Sequence, residues 1–343
     1  MHTAVQEYYT ERTLGGGTSS LQTCACISGA VPKPLRALAS QLHEEVTSKF
    51  YGCGSPIPPC VEGAVVVDLG CGTGRDSFLL SKLVGPTGRV IGVDMTDAQL
   101  DVARRHVGYH MEKWGFPQPN IEFKKGLIEN LADISIPDNS VDLVVSNCVI
   151  NLALNKAQVF AEIFRILKPG GELFFSDVFA NCRVPAERRN DAVLLGECLA
   201  GAMYLGDFRR MLNAVGCRSF RIVHRLEYDV DSAPSSIAQK LQGIRFASLT
   251  IRAFKLSELE APPCEDFGQT ATYLGTVADC VDSFTLGEHP SQVFPAQVPT
   301  RVCGNTARML TQTRYASHFQ ITNGEGHSGR FPSCACSEIV GLF

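Results

Sequence analysis

Fourteen cysteines in 343 residues are the side chains with the most chemistry to offer, and three of them stand in unusual places. Cys148 follows the run "VDLVVSN", where β-branched and apolar residues give way to Ser146 and Asn147. Cys53 lies in "FYGCGSPIP" between Gly52 and Gly54, a setting that predicts an accessible thiol. Cys198 lies in "LLGECLAGAMY", among small residues that leave room beside a helix. A thiolate is the matching ligand for a soft, thiophilic atom. The spacing does not read as zinc. The nearest pairs are "CAC" at Cys24–Cys26, "CAC" at Cys334–Cys336, and Cys53 with Cys60, whereas two to four residues usually separate zinc ligands. Nor is a chain of this length, with no sign of export, a small disulfide framework. Most of the cysteines are expected to be buried small hydrophobes.

A second group of residues points to a bound cofactor. "VVVDLGCGTGRD" puts Asp68, Gly70, Cys71, Gly72 and Gly74 at the turn from a strand to a helix. Glycines there let the backbone approach a ligand, and the helix N-terminus offers N–H groups. The spacing is G-x-G-x-G rather than the G-x-G-x-x-G of dinucleotide sites, so the cofactor is expected to lack a pyrophosphate. Cys71, between the glycines, reads as a small turn residue. Asp94 closes the next strand and can accept hydrogen bonds from ribose hydroxyls. Met95 beside it can lie against an adenine ring. Ile128 and Glu129, in "GLIENL" after the third strand, are placed to flank the adenine edge.

These residues need a scaffold, and the pattern supplies one. From Ala64 strands and helices alternate: "AVVVDLG", "RDSFLLSKLVG", "GRVIGVDM", "DAQLDVARRHVGYHMEKWG", "NIEFKKG", "VDLVVSN", "KAQVFAEIFRIL" and "GELFFSDV". Strands joined by helices of this length imply right-handed crossovers and a parallel sheet covered on both faces. "AERRNDAVLLGECLAGAMYLGDFRRMLNAVG" reads as helical. "SFRIVHRLEYDV" and "FASLTIRAFKL" read as the strands that finish the sheet. Ahead of it, Leu35, Leu38, Leu42 and Val46 recur at helical spacing and predict one amphipathic helix. The expected division is a cap over residues 1–60, a central domain over 61–258 and a small α+β domain over 259–343, whose tail carries Cys334 and Cys336.

The ordered series of D-x-G-x-G-x-G, a strand-end Asp, an acidic exit from strand three and "KPGG" before strand five resembles the class I S-adenosylmethionine-dependent methyltransferases. That family implies a Rossmann-like, seven-stranded sheet with an antiparallel last strand. "HEEVTSKFYGCG", "VDMTDAQLDVAR", "HMEKWGF", "SNCVINL", "LKPGGELFFSDV" and "GECLAGAMY" are similar to the arsenite methyltransferases, over about residues 20 to 255 almost continuously. The resemblance implies methyl transfer from S-adenosylmethionine to arsenite and methylarsenite presented as thiol complexes, as a detoxification. It implies that Cys53, Cys148 and Cys198 ligate As(III). Cys26 is implied as the thiol that exchanges disulfides with a ligand cysteine, restoring trivalent arsenic with glutathione or thioredoxin as the final reductant. Cys24, where the family commonly has a polar residue, leaves open which of the two resolves. Asn147 belongs to the implied cofactor site. Tyr51 can pack on the sulfonium by a cation–π contact or be an ordinary cap aromatic. Glu197 can orient a proton near the site or be a solvated helix residue, and His43 and His106 read as surface or packing residues.

Composition excludes other classes. The chain is 45% apolar and 19% charged, with a formal net charge of -4, so it offers no basic footprint for nucleic acid or an anionic membrane. "MHTAVQEYYTERTLGGGTSS" lacks the plan of a secretory signal, and no run approaches ~18 apolar residues; a cytoplasmic monomer is expected. Two alternatives compete: a C- or O-methyltransferase acting on a small organic molecule, and a non-catalytic metalloid or zinc sensor. The sensor has no use for Asp94 or the "KPGG" turn.

Overall fold

A computed structural model describes residues 6, 7, 10, 31–50, 52–189, 191, 194, 198–228, 235–261 and 263–332. Five parallel strands build most of the central sheet: β1 (Val65–Leu69), β2 (Arg89–Asp94), β3 (Ile121–Lys125), β4 (Val141–Asn147) and β5 (Leu167–Ala180). Three later strands join them: β6 (Met203–Tyr204), β7 (Phe220–Tyr228) and β8 (Phe246–Phe254). The order is β3-β2-β1-β4-β5-β8-β7, and β6 pairs with the far end of β5. The last strand, β8, runs antiparallel between β5 and β7. The expected path of seven strands is present, and the two-residue β6 is an addition to it.

Alternation along each strand builds two cores, one per face. On β1, Val67 and Leu69 enter one core and Val66 the other; on β4, Val144 is opposed to Leu143 and Val145 in the same way. The first core is covered by Val159 and Phe160 of one helix (Lys156–Ile166) and Phe208 and Leu212 of another (Leu205–Ala214). The second is covered by Phe78 and Leu79 of Arg75–Val84, Leu100 of Asp97–Arg105, Met111 and Trp114 of Val107–Trp114, and the cap residues Leu42 and Val46.

Two helical expectations change. The cap carries two short helices, Lys33–Ala39 and Glu44–Ser48, in place of one. His43 breaks the run: it is extended at φ -65 and ψ 138, and its Nδ1 accepts the Glu45 N–H to cap the second helix. The stretch read as helical from Ala186 to Gly216 is also broken. Among its described residues it holds a 3-10 turn, Ala186–Arg188, a helical Leu194, then β6, then the helix Leu205–Ala214. Cys198 sits in the left-handed region at φ 60, a conformation no right-handed helix can include.

Beyond β8 the chain forms its own small core around Leu256, Tyr273, Phe284, Phe294, Leu310 and Phe319. Here β9 (Thr270–Tyr273) pairs antiparallel with β12 (Thr300–Arg301) and β13 (Phe319–Thr322), and β10 (Ser283–Thr285) pairs with β11 (Val293–Pro295). A helix, Gly304–Thr311, closes the module. A buried ionic cluster ties it to the sheet. Glu172 on β5 is fully buried; it accepts from Arg252 Nε at 2.6 Å and Tyr315 Oη at 3.1 Å and pairs with Arg314.

Candidate active site

The chemistry-bearing residues gather where the parallel strands end, the crevice in which open α/β sheets bind ligands. β1 delivers the glycine turn. Gly70 has φ 71, and a Cβ there would lie 2.3 Å from Val149 Cγ2, so only glycine lets the turn pass the loop after β4. β2 ends at Asp94, whose Oδ2 accepts the Gly72 N–H at 2.9 Å and whose Oδ1 accepts the Thr96 N–H at 2.9 Å. Burial pushes the Asp94 carboxyl up, and the hydrogen bonds from Thr96, Gly72 and Met95 oppose that. Asp68 is buried beneath the turn and accepts from Ser77 Oγ. Burial pushes its carboxyl up to about 7, and the nearby Asp76 charge adds to the effect.

Asp76 was not singled out by sequence reasoning. It is 4% exposed, its Oδ2 accepts from Asn147 Nδ2 at 2.8 Å, and its Oδ1 has no hydrogen-bond partner. The near cation is Arg75, with Nε 3.8 Å from that oxygen. Two buried carboxyl groups at the head of a helix, one with an orphaned oxygen, fit a cofactor that is itself cationic, as S-adenosylmethionine is at its sulfonium and ammonium. The signal was in the sequence, since Asp76 closes the same "GTGRD" that supplies the glycines.

Other predicted cofactor residues have clear neighbours. Met95 is half-buried and packs against the cluster that contains the site cysteines. Ile128 is buried in the first core, and Glu129 Oε1 accepts the Leu154 N–H at 3.0 Å, tying the third strand's exit to the loop after β4. Cys71 is buried, and its thiol is pushed well up by burial and by Asp94, which leaves it a neutral turn residue. Tyr51, Glu197, Cys24, Cys26, Cys334 and Cys336 lie outside the described residues. His43 and His106 are packing residues, their rings stacked at 3.7 Å, and His106 Nε2 meets Glu45 Oε2 at 2.7 Å.

Cys53, Cys148 and Cys198 fall in one buried cluster. Cys53 and Cys148 are joined as a disulfide. The Cys198 thiol donates to the Cys148 carbonyl at 3.2 Å. Cys148 has φ 57 and Cys198 φ 60. Left-handed backbone at a non-glycine residue costs on the order of 1 kcal/mol or more, and such strain concentrates at functional sites. The loops hold both residues there. The Cys148 N–H bonds to the Ser176 carbonyl at 2.8 Å. Asn151 Nδ2 reaches Asp177 Oδ1 at 2.7 Å, the Val178 carbonyl at 2.7 Å and the Cys198 carbonyl at 3.4 Å. Asn151 therefore links the Cys148 loop, β5 and the Cys198 loop.

The Cys53 loop is fixed just as firmly. Its N–H donates to Asn147 Oδ1 at 3.0 Å, its carbonyl accepts from Ser248 Oγ at 2.8 Å, and the Gly54 carbonyl accepts from Asn147 Nδ2 at 2.9 Å. The glycines on either side of Cys53 do not open it to solvent: the residue is 7% exposed. They let the loop lie flat. A Cβ on Gly52 would come 2.7 Å from Asn147 Nδ2, and one on Gly54 2.5 Å from Ser176 Oγ. Asp177, a second residue sequence reasoning missed, completes the site. Its carboxylate and the sulfurs of Cys53 and Cys148 lie within 4.8 Å of one another. Burial pushes Asp177 up to about 7.

A sheet of this order, with a glycine turn and a strand-end acid, is that of a class I S-adenosylmethionine-dependent methyltransferase. Residues 61–216 match the family model described as a methyltransferase domain. An arsenite methyltransferase of Aquipseudomonas alcaligenes is 45% identical, over 97% of this chain and 94% of its own length. The Mus musculus arsenite methyltransferase is 42% identical, over 94% of this chain and 84% of its own. The crystal structure of an arsenic(III) S-adenosylmethionine methyltransferase from Chlamydomonas reinhardtii superposes with a TM-score of 0.83 at 42% identity, covering 88% of this chain and all of that one. The chain belongs to the arsenite methyltransferase family.

Proposed function

We propose that this chain methylates trivalent arsenic held by Cys53, Cys148 and Cys198. What supports the reading is that the three residues share one buried cluster at the strand ends; the sulfurs of Cys53 and Cys148 lie within 4.8 Å of each other and of Asp177, and Cys198 stands outside that group. Three thiolates match the coordination of As(III), a soft centre that stays pyramidal and keeps a lone pair. That lone pair is the nucleophile, so no residue has to act as a base in the transfer. The chain's task is to hold the arsenic in line and exclude water. Asn147 fixes the Cys53 loop and Asn151 fixes the other two. S-adenosylmethionine, when bound, supplies an electrophilic methyl group; Asp68, Asp76 and Asp94 hold its cationic and ribose groups, and Gly70, Gly72 and Gly74 give it room. Met95, Ile128 and Glu129 flank its adenine, and Tyr51 is assigned to the cofactor site by residue type alone, as a cation–π partner for the sulfonium.

Transfer of a methyl cation uses the arsenic lone pair and raises arsenic formally from As(III) to As(V). Two thiolates return it to As(III) by closing as a disulfide, and each disulfide formed takes up two thiol equivalents from outside. The joined Cys53 and Cys148 are the oxidised form of two of the ligands. Cys26 is assigned to resolve that bond, and glutathione or thioredoxin is the final reductant. The cap over 1–60, transfer domain over 61–258 and C-terminal domain over 259–343, acting as a cytoplasmic monomer, belong to the same proposal; among the described residues no helix is long and apolar enough to cross a membrane.

The test is product speciation over time with arsenite, S-adenosylmethionine and a defined thiol. Methylated arsenicals are expected, with Cys148→Ser and Cys198→Ser inactive on arsenite. Cofactor turnover that does not depend on arsenite, or that survives Cys148→Ser, refutes the assignment.

A further inference from the structure

Arg75 occupies a position that is costly for an arginine. It is the first residue of the helix Arg75–Val84, the end at which the helix dipole disfavours a cation. It is only 5% exposed. A guanidinium is rich in N–H donors, yet among the described residues this one makes no hydrogen bond. Its guanidinium carbon lies 3.9 Å from the centre of the Phe50 ring, and its Nε lies 3.8 Å from Asp76 Oδ1. The second distance is beyond hydrogen-bond reach.

Asp76 is held from its other side. Asn147 Nδ2 donates to its Oδ2 at 2.8 Å, while Oδ1 is buried with no hydrogen-bond partner. Phe50 lies against Gly52, where a Cβ would come 2.5 Å from Phe50 Cζ. Arg75 therefore stands between the glycine turn and the loop that carries Cys53. A guanidinium and a carboxylate that serve only the fold close into two parallel hydrogen bonds, and leaving them open in the interior costs stability. An open pair suits a ligand that brings one charge of each sign on a single carbon. The amino-acid end of S-adenosylmethionine is such a group.

We propose that Arg75 and Asp76 form the subsite for that end of the cofactor, the Arg75 guanidinium taking its carboxylate and Asp76 Oδ1 its ammonium. The proposal rests on this chain using S-adenosylmethionine and is independent of arsenic. The zwitterion adds no net charge to the pair, so binding leaves neither sign in excess in the interior. Methyl transfer does not alter this end of the molecule: the sulfonium loses its charge, and the ammonium and carboxylate keep theirs. The pair therefore holds S-adenosylmethionine and S-adenosylhomocysteine alike, as uniform binding. It also rejects adenosyl sulfonium compounds that lack a carboxylate.

The experiment is calorimetric titration of the full, reduced chain. The probes are S-adenosylmethionine, its decarboxylated form, S-adenosylhomocysteine, and 5′-methylthioadenosine, which lacks the amino-acid end. The parent chain should bind the decarboxylated form at least about tenfold more weakly than S-adenosylmethionine, the loss expected for one charge-assisted contact. Arg75→Met should weaken S-adenosylmethionine and S-adenosylhomocysteine by a similar factor, leave 5′-methylthioadenosine unchanged, and no longer distinguish the carboxylated from the decarboxylated form. Arg75→Lys keeps the charge and should recover part of that preference; it stands in if Arg75→Met does not fold. Asp76→Asn should weaken both forms equally, since both carry the ammonium. Equal binding of the two forms by the parent overturns the assignment, and so does an Arg75→Met chain that weakens every probe by one factor, as a role confined to holding the cap would. An Asp76→Asn chain that binds like the parent overturns the ammonium half. If the parent binds none of the probes, the cofactor reading itself fails and the subsite with it.

Discussion

Replacing Asn147 with alanine removes three hydrogen bonds at once: from the Cys53 N–H at 3.0 Å, to the Gly54 carbonyl at 2.9 Å and to Asp76 Oδ2 at 2.8 Å. None of these groups is replaced by a neighbour, and the side chain is 7% exposed, so water does not substitute freely. At about 1 kcal/mol net for each bond, the two that reach Cys53 and Gly54 cost the Cys53 loop roughly 2 kcal/mol of its hold on the end of β4. If that energy is what keeps Cys53 facing Cys148, arsenite affinity of the reduced chain should fall roughly 30-fold, each 1.4 kcal/mol being tenfold. Equilibrium dialysis with elemental arsenic detection measures it directly. The decisive comparison is a double-mutant cycle with Cys53→Ser. When Asn147 acts through Cys53, removing it in the Cys53→Ser background costs little further affinity. Full additivity, or an unchanged dissociation constant in Asn147→Ala, refutes the reasoning.

Gly201→Ala should destabilise the chain by at least about 2 kcal/mol, because its Cβ would lie 2.0 Å from the Asn151 carbonyl oxygen; a thermal midpoint equal to the parent's would contradict this. His110 is fully buried, stacks on Phe78 at 3.9 Å and accepts the His43 N–H through Nε2. Burial lowers its pKa from 6.5 to about 4. An unfolded chain takes up that proton first, so the His110 contribution is complete above about pH 6.5 and is lost as pH falls towards 4. Denaturant midpoints measured across that window should slope downward with falling pH, and His110→Phe should flatten the slope. Glu172→Gln strands Arg252 and Arg314 in the interior and should cost about 3–5 kcal/mol, read as a lower urea midpoint; a loss below 1 kcal/mol would show the cluster to be better hydrated than it looks.

The parallel sheet was legible because its signals are local. β4 spans the predicted "VDLVVSN" without adjustment, since a β-branched run stops at a polar pair. The glycine turn and Asp94 were legible for the same reason. What escaped was set by contacts far apart in sequence. Nothing near His43 announces that His110, 67 residues on, takes its N–H and breaks the cap helix. Gly52 and Gly54 looked like freedom for a thiol and are in fact the condition for close approach to Asn147 and Ser176. Asp177 is hidden inside "FFSDVF", where a charged residue in a buried run looks like a strand ending early; β5 carries on through it to Ala180. The left-handed backbone at Cys148 and Cys198 has no local glycine to signal it.

The bond between Cys53 and Cys148 spans 95 residues, and it encloses most of the cofactor half of the sheet. A tether of that length narrows the unfolded ensemble by roughly 4–5 kcal/mol in the chain-entropy view. On the proposed relay, each return to the dithiol does more than free two sulfurs: it lowers the stability of the fold around them. The molecule would be at its loosest in the interval when it is reduced and has not yet met arsenic. It would tighten again when a bridging arsenic atom takes the tether's place. With the proposed ligands, the order of arrival is reductant first and metalloid second. Substrate in that sequence works as a staple as well as a reactant.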